Sequence, residues 1–103
     1  MSVVRLSKGA FAPEFYDSIT QFLDESQRSL APGIRALQGC LGFWAGTDKV
    51  SNTMINVSVW ASLEDAKQLD SFTPMLALAK EFMERGVHFE RPITHYDVLW
   101  QIP

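Results

Sequence analysis

Asn56 and Trp60 place an amide and an indole N–H four residues apart in the stretch INVSVWASLEDAKQL (55–69). With a period of two, Ile55, Val57 and Val59 point one way and Asn56, Ser58 and Trp60 the other. The first set is an ordinary buried strand face. The second is apolar enough to be covered, and its polar groups then need partners. Two donors ~13 Å apart at Cα along a strand can grip opposite ends of a bicyclic or tricyclic ligand, but not one oxygen together. A well-aimed donor stabilises charge growing on an oxygen by roughly 3–4 kcal/mol. The plainer reading has Asn56 bonded to neighbouring backbone and Trp60 filling the core.

Two histidines, His88 and His95, titrate in the range that suits a general base. His88 falls in a loop and reads as solvated. His95 alternates with Asp97, a spacing that can fix an imidazole tautomer and equally suits a polar edge strand. With two histidines and one cysteine, Cys40, no metal site at telling spacing and no intrachain disulfide is expected. Met75, Phe82 and Met83 on a helical stripe, with Trp44 between Gly42 and Gly46 and Tyr96 near the end, could line a pocket; for each, core packing is the alternative. Lys80 could steer an anionic or phenolic ligand, or simply be solvated.

The elements that must carry these residues follow from periodicity. SVVRLSKGAF (2–11) reads as a strand, and Pro13 opens a helix whose apolar positions are Phe15, Ile19, Phe22, Leu23 and Leu30. Pro32-Gly33 is expected to break it, with one further turn over 34–37. CLGFWAGT (40–47), with Leu41, Phe43 and Ala45 alternating against Cys40, Gly42 and Trp44, forms a hairpin with TMINVSVWA (53–61). Ser62 and Asp65 resemble a capping box, and Thr73-Pro74 restarts a helix, as N-cap and first position. Glu81 is placed to reach Arg85, and Gly86 ends that helix. ITHYDVLWQI (93–102) alternates as the last strand after a loop, VHFERP.

The order is βαββαβ, the ferredoxin-like α+β plan, with first and third strands central in a four-stranded antiparallel sheet and both helices on one face. At 103 residues this is a single domain, 1–103, and 47% hydrophobic with 20% charged residues is the balance of a folded globular chain. Nine basic residues are scattered among twelve acids for a net charge of −3, which argues against nucleic acid or an anionic membrane as partner. No signal-peptide core or 20-residue apolar span is visible, so a cytoplasmic protein is expected.

A sheet wet on one face usually alternates with charges on that side. Here Arg5, Lys8 and Asp97 are nearly the only charged strand residues. Helices are therefore expected on one face and a second sheet on the other, most simply in a C2 homodimer.

With this order, the glycine-flanked strand GCLGFWAG and above all V-x-V-W-A-S-x-E-x-A (57–66), the chain resembles the antibiotic biosynthesis monooxygenase (ABM) domain over nearly its whole length. The resemblance implies a dimeric α+β barrel with a pocket between sheet and helices in each protomer. Asn56 and Trp60 reproduce an Asn–Trp pair of the cofactor-free members, which oxidise phenolic compounds to quinones. A tyrosine and an arginine of those members fall near Ala66 and Lys80, so two of the four positions depart. The haem-degrading branch has an asparagine near Val4 and an iron-ligating histidine near Leu76; the missing histidine argues against haem chemistry. The expectation is a cytoplasmic homodimer that oxygenates or binds a small aromatic or quinol without cofactor or metal. Asn56, Trp60 and His95 are its candidate catalytic residues, and Trp44, Met75, Lys80, Phe82, Met83 and Tyr96 its candidate pocket lining. The alternatives are a non-catalytic ligand-binding or stress-associated barrel, and a lyase or isomerase using His95.

Overall fold

The alternation at the start of the chain becomes β1 (Val3–Ala10), and a 3-10 turn at Pro13–Phe15 leads into α1 (Tyr16–Arg35). The hairpin is β2 (Cys40–Asp48) and β3 (Thr53–Trp60). After it come α2 (Leu63–Ala66), a 3-10 segment Lys67–Ser71, α3 (Thr73–Glu84), β4 (His88–Phe89) and β5 (Thr94–Asp97). The computed structural model describes every residue, Met1–Pro103. All strand pairs are antiparallel, in the order β2-β3-β1, with β4 and β5 both on the remaining edge of β1. The plan is ferredoxin-like, with β1 and β3 central.

Local chemistry accounts for the element ends. The Ser62 hydroxyl accepts the Asp65 N–H at 3.1 Å, capping α2. Gly86 follows α3 with φ +102, a conformation that costs glycine nothing. The sequence expectation misplaced three boundaries. α1 does not break at Pro32 but runs through it to Arg35, because Leu30 and Ile34, one turn apart, are both buried and hold the last turn in the core. Gly33 serves contact rather than chain breaking: a Cβ there would lie 2.7 Å from Phe72 Cζ. The N-cap of α3 is Phe72, so Thr73 and Pro74 fall one position further in than expected.

The last strand is shorter than 93–102. Its register against β1 ends at Asp97 opposite Val3, and the final link is Val98 N–H to the Ser2 carbonyl at 3.0 Å. Leu99–Ile102 has no strand left to pair with, because β1 begins at Val3. Part of the expected loop VHFERP instead pairs, as β4, with Gly9 and Ala10. Glu81 forms no ion pair with Arg85, whose guanidinium lies 3.8 Å from the Phe22 ring centroid.

In β2, Cys40 faces Trp60 and Gly42 faces Val59, so Leu41 is the extra residue of a bulge. The bulge moves Cys40 onto the face of Phe43, Ala45 and Thr47, correcting the uniform alternation expected for this strand. The helix-side face of the two central strands reads in four rows: Val3–Trp60, Arg5–Ser58, Ser7–Asn56 and Gly9–Met54. The outer rows belong to separate core clusters, Val3 and Trp60 with Leu30, Ile34, Ala66 and Leu69, and Met54 with Phe11, Ile19, Phe82 and Val87. The two middle rows are polar. The core is split where the sheet carries its polar side chains.

Candidate functional site

A cleft of about 880 Å³ opens over those polar rows, between the sheet and the helices. Its walls are Leu23 and Leu30 of α1, Phe43 of β2, and Met75, Leu78 and Phe82 of α3; Arg5, Ser7 and Asn56 form its floor. That size suits a bicyclic or tricyclic ligand. A smaller groove of about 370 Å³ on the outside, between α1 and α3, is bordered by Glu25, Glu81 and two serines, and its one buried polar residue, Ser26, spends its hydroxyl on the Leu23 carbonyl at 2.6 Å.

Arg5 is the centre of the floor and only 3% exposed. Its Nη1 donates to Asn56 Oδ1 at 3.4 Å, and its Nη2 lies 3.6 Å from Asp70 Oδ1. Burial pushes its pKa below the ordinary value, and the Asp70 carboxylate pushes back. An arginine nonetheless stays charged. The contact from Arg5 also orients Asn56: with Oδ1 occupied, the amide NH2 is the group free to donate to a ligand.

Trp60 is not brought to the cleft. It is fully buried, and its indole N–H donates to Ser58 Oγ at 2.8 Å, so the second donor that the sequence placed beside Asn56 is spent inside the core. His95 stands opposite Arg5 on β5, half-buried, with Nε2 buried and unpartnered. Desolvation, then the Arg5 charge, hold its pKa below 6.5. It forms no hydrogen bond with Asp97, so the tautomer-fixing pair is absent, and it borders the cleft floor rather than lining the cleft.

Of the residues expected to line a pocket, Met75 and Phe82 do so, and Trp44 meets the cleft at the edge of β2 while pairing with Val57 on the opposite sheet face. Lys80 and Met83 are exposed and point away from the cleft, because α3 turns the Met75–Leu78–Phe82 stripe inward. Tyr96 pairs with Val4 on the opposite sheet face, where it is 52% exposed. His88 is exposed in β4. No three His, Cys, Asp or Glu side chains gather in a way that could hold a metal ion.

Arg5 is the residue that sequence reasoning passed over as one of few charges on a wet face. Its signal was available. Val3, Arg5, Ser7 and Gly9 alternate with Val4, Leu6 and Lys8, and antiparallel pairing with β3 puts the first set on the Asn56 face.

No protein-family model and no curated protein matches the chain. Solved structures do. A proposed antibiotic biosynthesis monooxygenase from Deinococcus radiodurans superposes with a TM-score of 0.74 at 16% identity, over 98% of this chain and 96% of that one. Rv0793 from Mycobacterium tuberculosis gives 0.70 at 14% identity over the whole of both chains. SnoaB, a cofactor-independent oxygenase from Streptomyces nogalater, gives 0.65 at 13% identity over 99% of this chain and 97% of that one. The chain has the antibiotic biosynthesis monooxygenase fold. In this fold the cleft, the split core and the uncovered sheet face are built from alternate residues of the same strands. No helix is long and apolar enough to cross a membrane.

Proposed function

We propose that the chain is an ABM-type oxygenase of a small aromatic or quinol substrate that needs no cofactor, and that it works as a homodimer. The observation that carries this reading is the cleft itself: apolar walls of flat-ligand size converge on a free Asn56 amide held in place by Arg5. The likeness in fold to a cofactor-independent oxygenase supports it. In the reaction an electron-rich phenol in the cleft loses its hydroxyl proton. The phenolate gives an electron to O2, and the resulting pair joins as a ring-carbon peroxide. Loss of water leaves the quinone, so that one phenol and one O2 become one quinone and one water. The protein's part is to exclude bulk water, favour the phenolate and place donors where oxygen gains charge. Asn56 supplies the donor, Arg5 the positive field.

The dimer reading rests on the other sheet face. Val4, Leu6, Ile55, Val57 and Val59 are only half-covered, and Trp44, at 59%, and Tyr96 are exposed beside them. A contiguous apolar face of this kind marks an interaction site. In a closed twofold pair the two faces cover each other.

Oxygen uptake with a panel of hydroquinones and naphthols in metal-chelated buffer tests the activity. Asn56→Ala is expected to lower the rate about 100-fold; equal uptake in the variant removes the assignment. The burial of Trp60, which leaves the cleft with only one of the two β3 donors expected, favours a second reading, a barrel that binds an aromatic without turning it over. Ligand binding with no oxygen uptake across the panel would select it.

A further inference from the structure

We propose that the inner end of the cleft is a carboxylate-binding site, formed by the Nε/Nη2 edge of Arg5 with Arg91, so that the natural ligand is a flat aromatic acid. This rests on the reading of the cleft as the ligand site and adds what its inner end selects.

The geometry around Arg5 is that of an incomplete site. A guanidinium offers two parallel N–H donors along its Nε/Nη2 edge, matched to the two oxygens of a carboxylate. On that edge Nε has no partner, and Nη2 has only Asp70 Oδ1 at 3.6 Å, beyond good hydrogen-bond length. Asp70 is itself 53% exposed on the 3-10 segment, so water competes for it and it is free to swing away. A cation 3% exposed with so little compensation is costly, and a well-placed anion relieves the cost.

Nearby charge points the same way. Arg91 lines the cleft, held by its Nη1 donating to the Glu90 carbonyl at 2.9 Å, and its field reaches Arg5. Two guanidinium groups thus act on one another, and Arg5 alone has a carboxylate beside it, the exposed Asp70. His95, directly across from Arg5 on β5, brings it no anion, and its own Nε2 is buried without a partner. The apolar walls beyond receive the ring system.

The test is calorimetric titration of the full chain with naphthoate, naphthamide and naphthol of the same ring attachment, at a pH where the naphthol is un-ionised. Naphthoate is expected to bind at least about tenfold tighter than the other two. Arg5→Met is expected to abolish that preference and Arg91→Ala to reduce it. Asp70→Asn, at an exposed position that leaves the core intact, is expected to tighten naphthoate roughly three- to tenfold by removing the competing anion, with naphthamide unchanged. Should Arg5→Met fail to fold, the Asp70 and Arg91 variants decide alone. Naphthamide binding as tightly as naphthoate, or Asp70→Asn leaving naphthoate affinity unimproved, overturns the carboxylate site while the cleft reading stands. No binding of any of the three overturns both.

Discussion

In the middle rows of the sheet the two faces invert the usual arrangement. The face covered by helices carries Arg5, Ser7, Asn56, Ser58 and His95, whereas the uncovered face carries Val4, Leu6, Ile55, Val57, Val59, Trp44 and Tyr96. Hydrophobicity alone would put the second set under the helices. The inversion sets the terms of both proposals: the covered face gathers polar groups around a cleft, where a ligand is proposed, and the bare face leaves apolar side chains partly exposed, where a second copy is proposed.

Four changes probe that contrast. The largest effect is expected from Val57→Glu, which sets a carboxylate in the middle of the bare face and, in a twofold pair, sets two together. Sedimentation should then show monomer at concentrations where the parent is a dimer, a weakening of at least about 100-fold. A parent that is already monomeric removes the contrast. Next, Trp60→Ala empties the core beneath the covered face and strands Ser58, at an expected cost of about 3–5 kcal/mol in chemical denaturation. The variant should leave the dimer contact itself unaltered.

The third probe is pH. The charges facing His95 are Arg5, Asp70 and Lys67, and desolvation with Arg5 sets its folded pKa below the ordinary 6.5. As pH falls, the unfolded chain therefore binds a proton first. Stability is full above about pH 6.5 and declines below it, levelling off under the folded pKa. Melting curves between about pH 7.5 and 5 should show this decline, and His95→Gln should flatten it. The smallest effect is expected from Lys80→Ala, within about 0.5 kcal/mol of the parent in stability and with unchanged ligand titrations, because Lys80 points away from the cleft. A weakened titration would mean that α3 presents a different stripe.

Much of this fold was legible because its signals are local and redundant. Period-two runs bounded by turn residues marked β1 to β3, and a serine three residues before an acid marked the cap of α2. What failed were judgements needing a partner in space. Pro32 looks like a stop until Ile34 is seen in the core. Tyr96 looks like pocket until its register against Val4 is known. Asn56 was legible as a residue of the candidate cleft from type and spacing, and Arg5 was not, since a lone strand arginine reads as a wet-face charge until β1 is laid against β3. Trp60 shows the converse: its donor is real, but Ser58, two residues away, takes it.

The bulge at Cys40–Gly42 decides where this chain tolerates shortening. Leu41 is the surplus residue opposite the Trp60–Val59 step, so excising it would leave Phe43, Ala45 and Thr47 turned toward the helices and Trp44 turned away. Excising Ala45 instead would reverse the phase of everything before it or after it in β2, and put either Trp44 or Gly46 where Ala45 now stands, opposite Asn56. One strand thus holds a neutral deletion site and a ruinous one four positions apart.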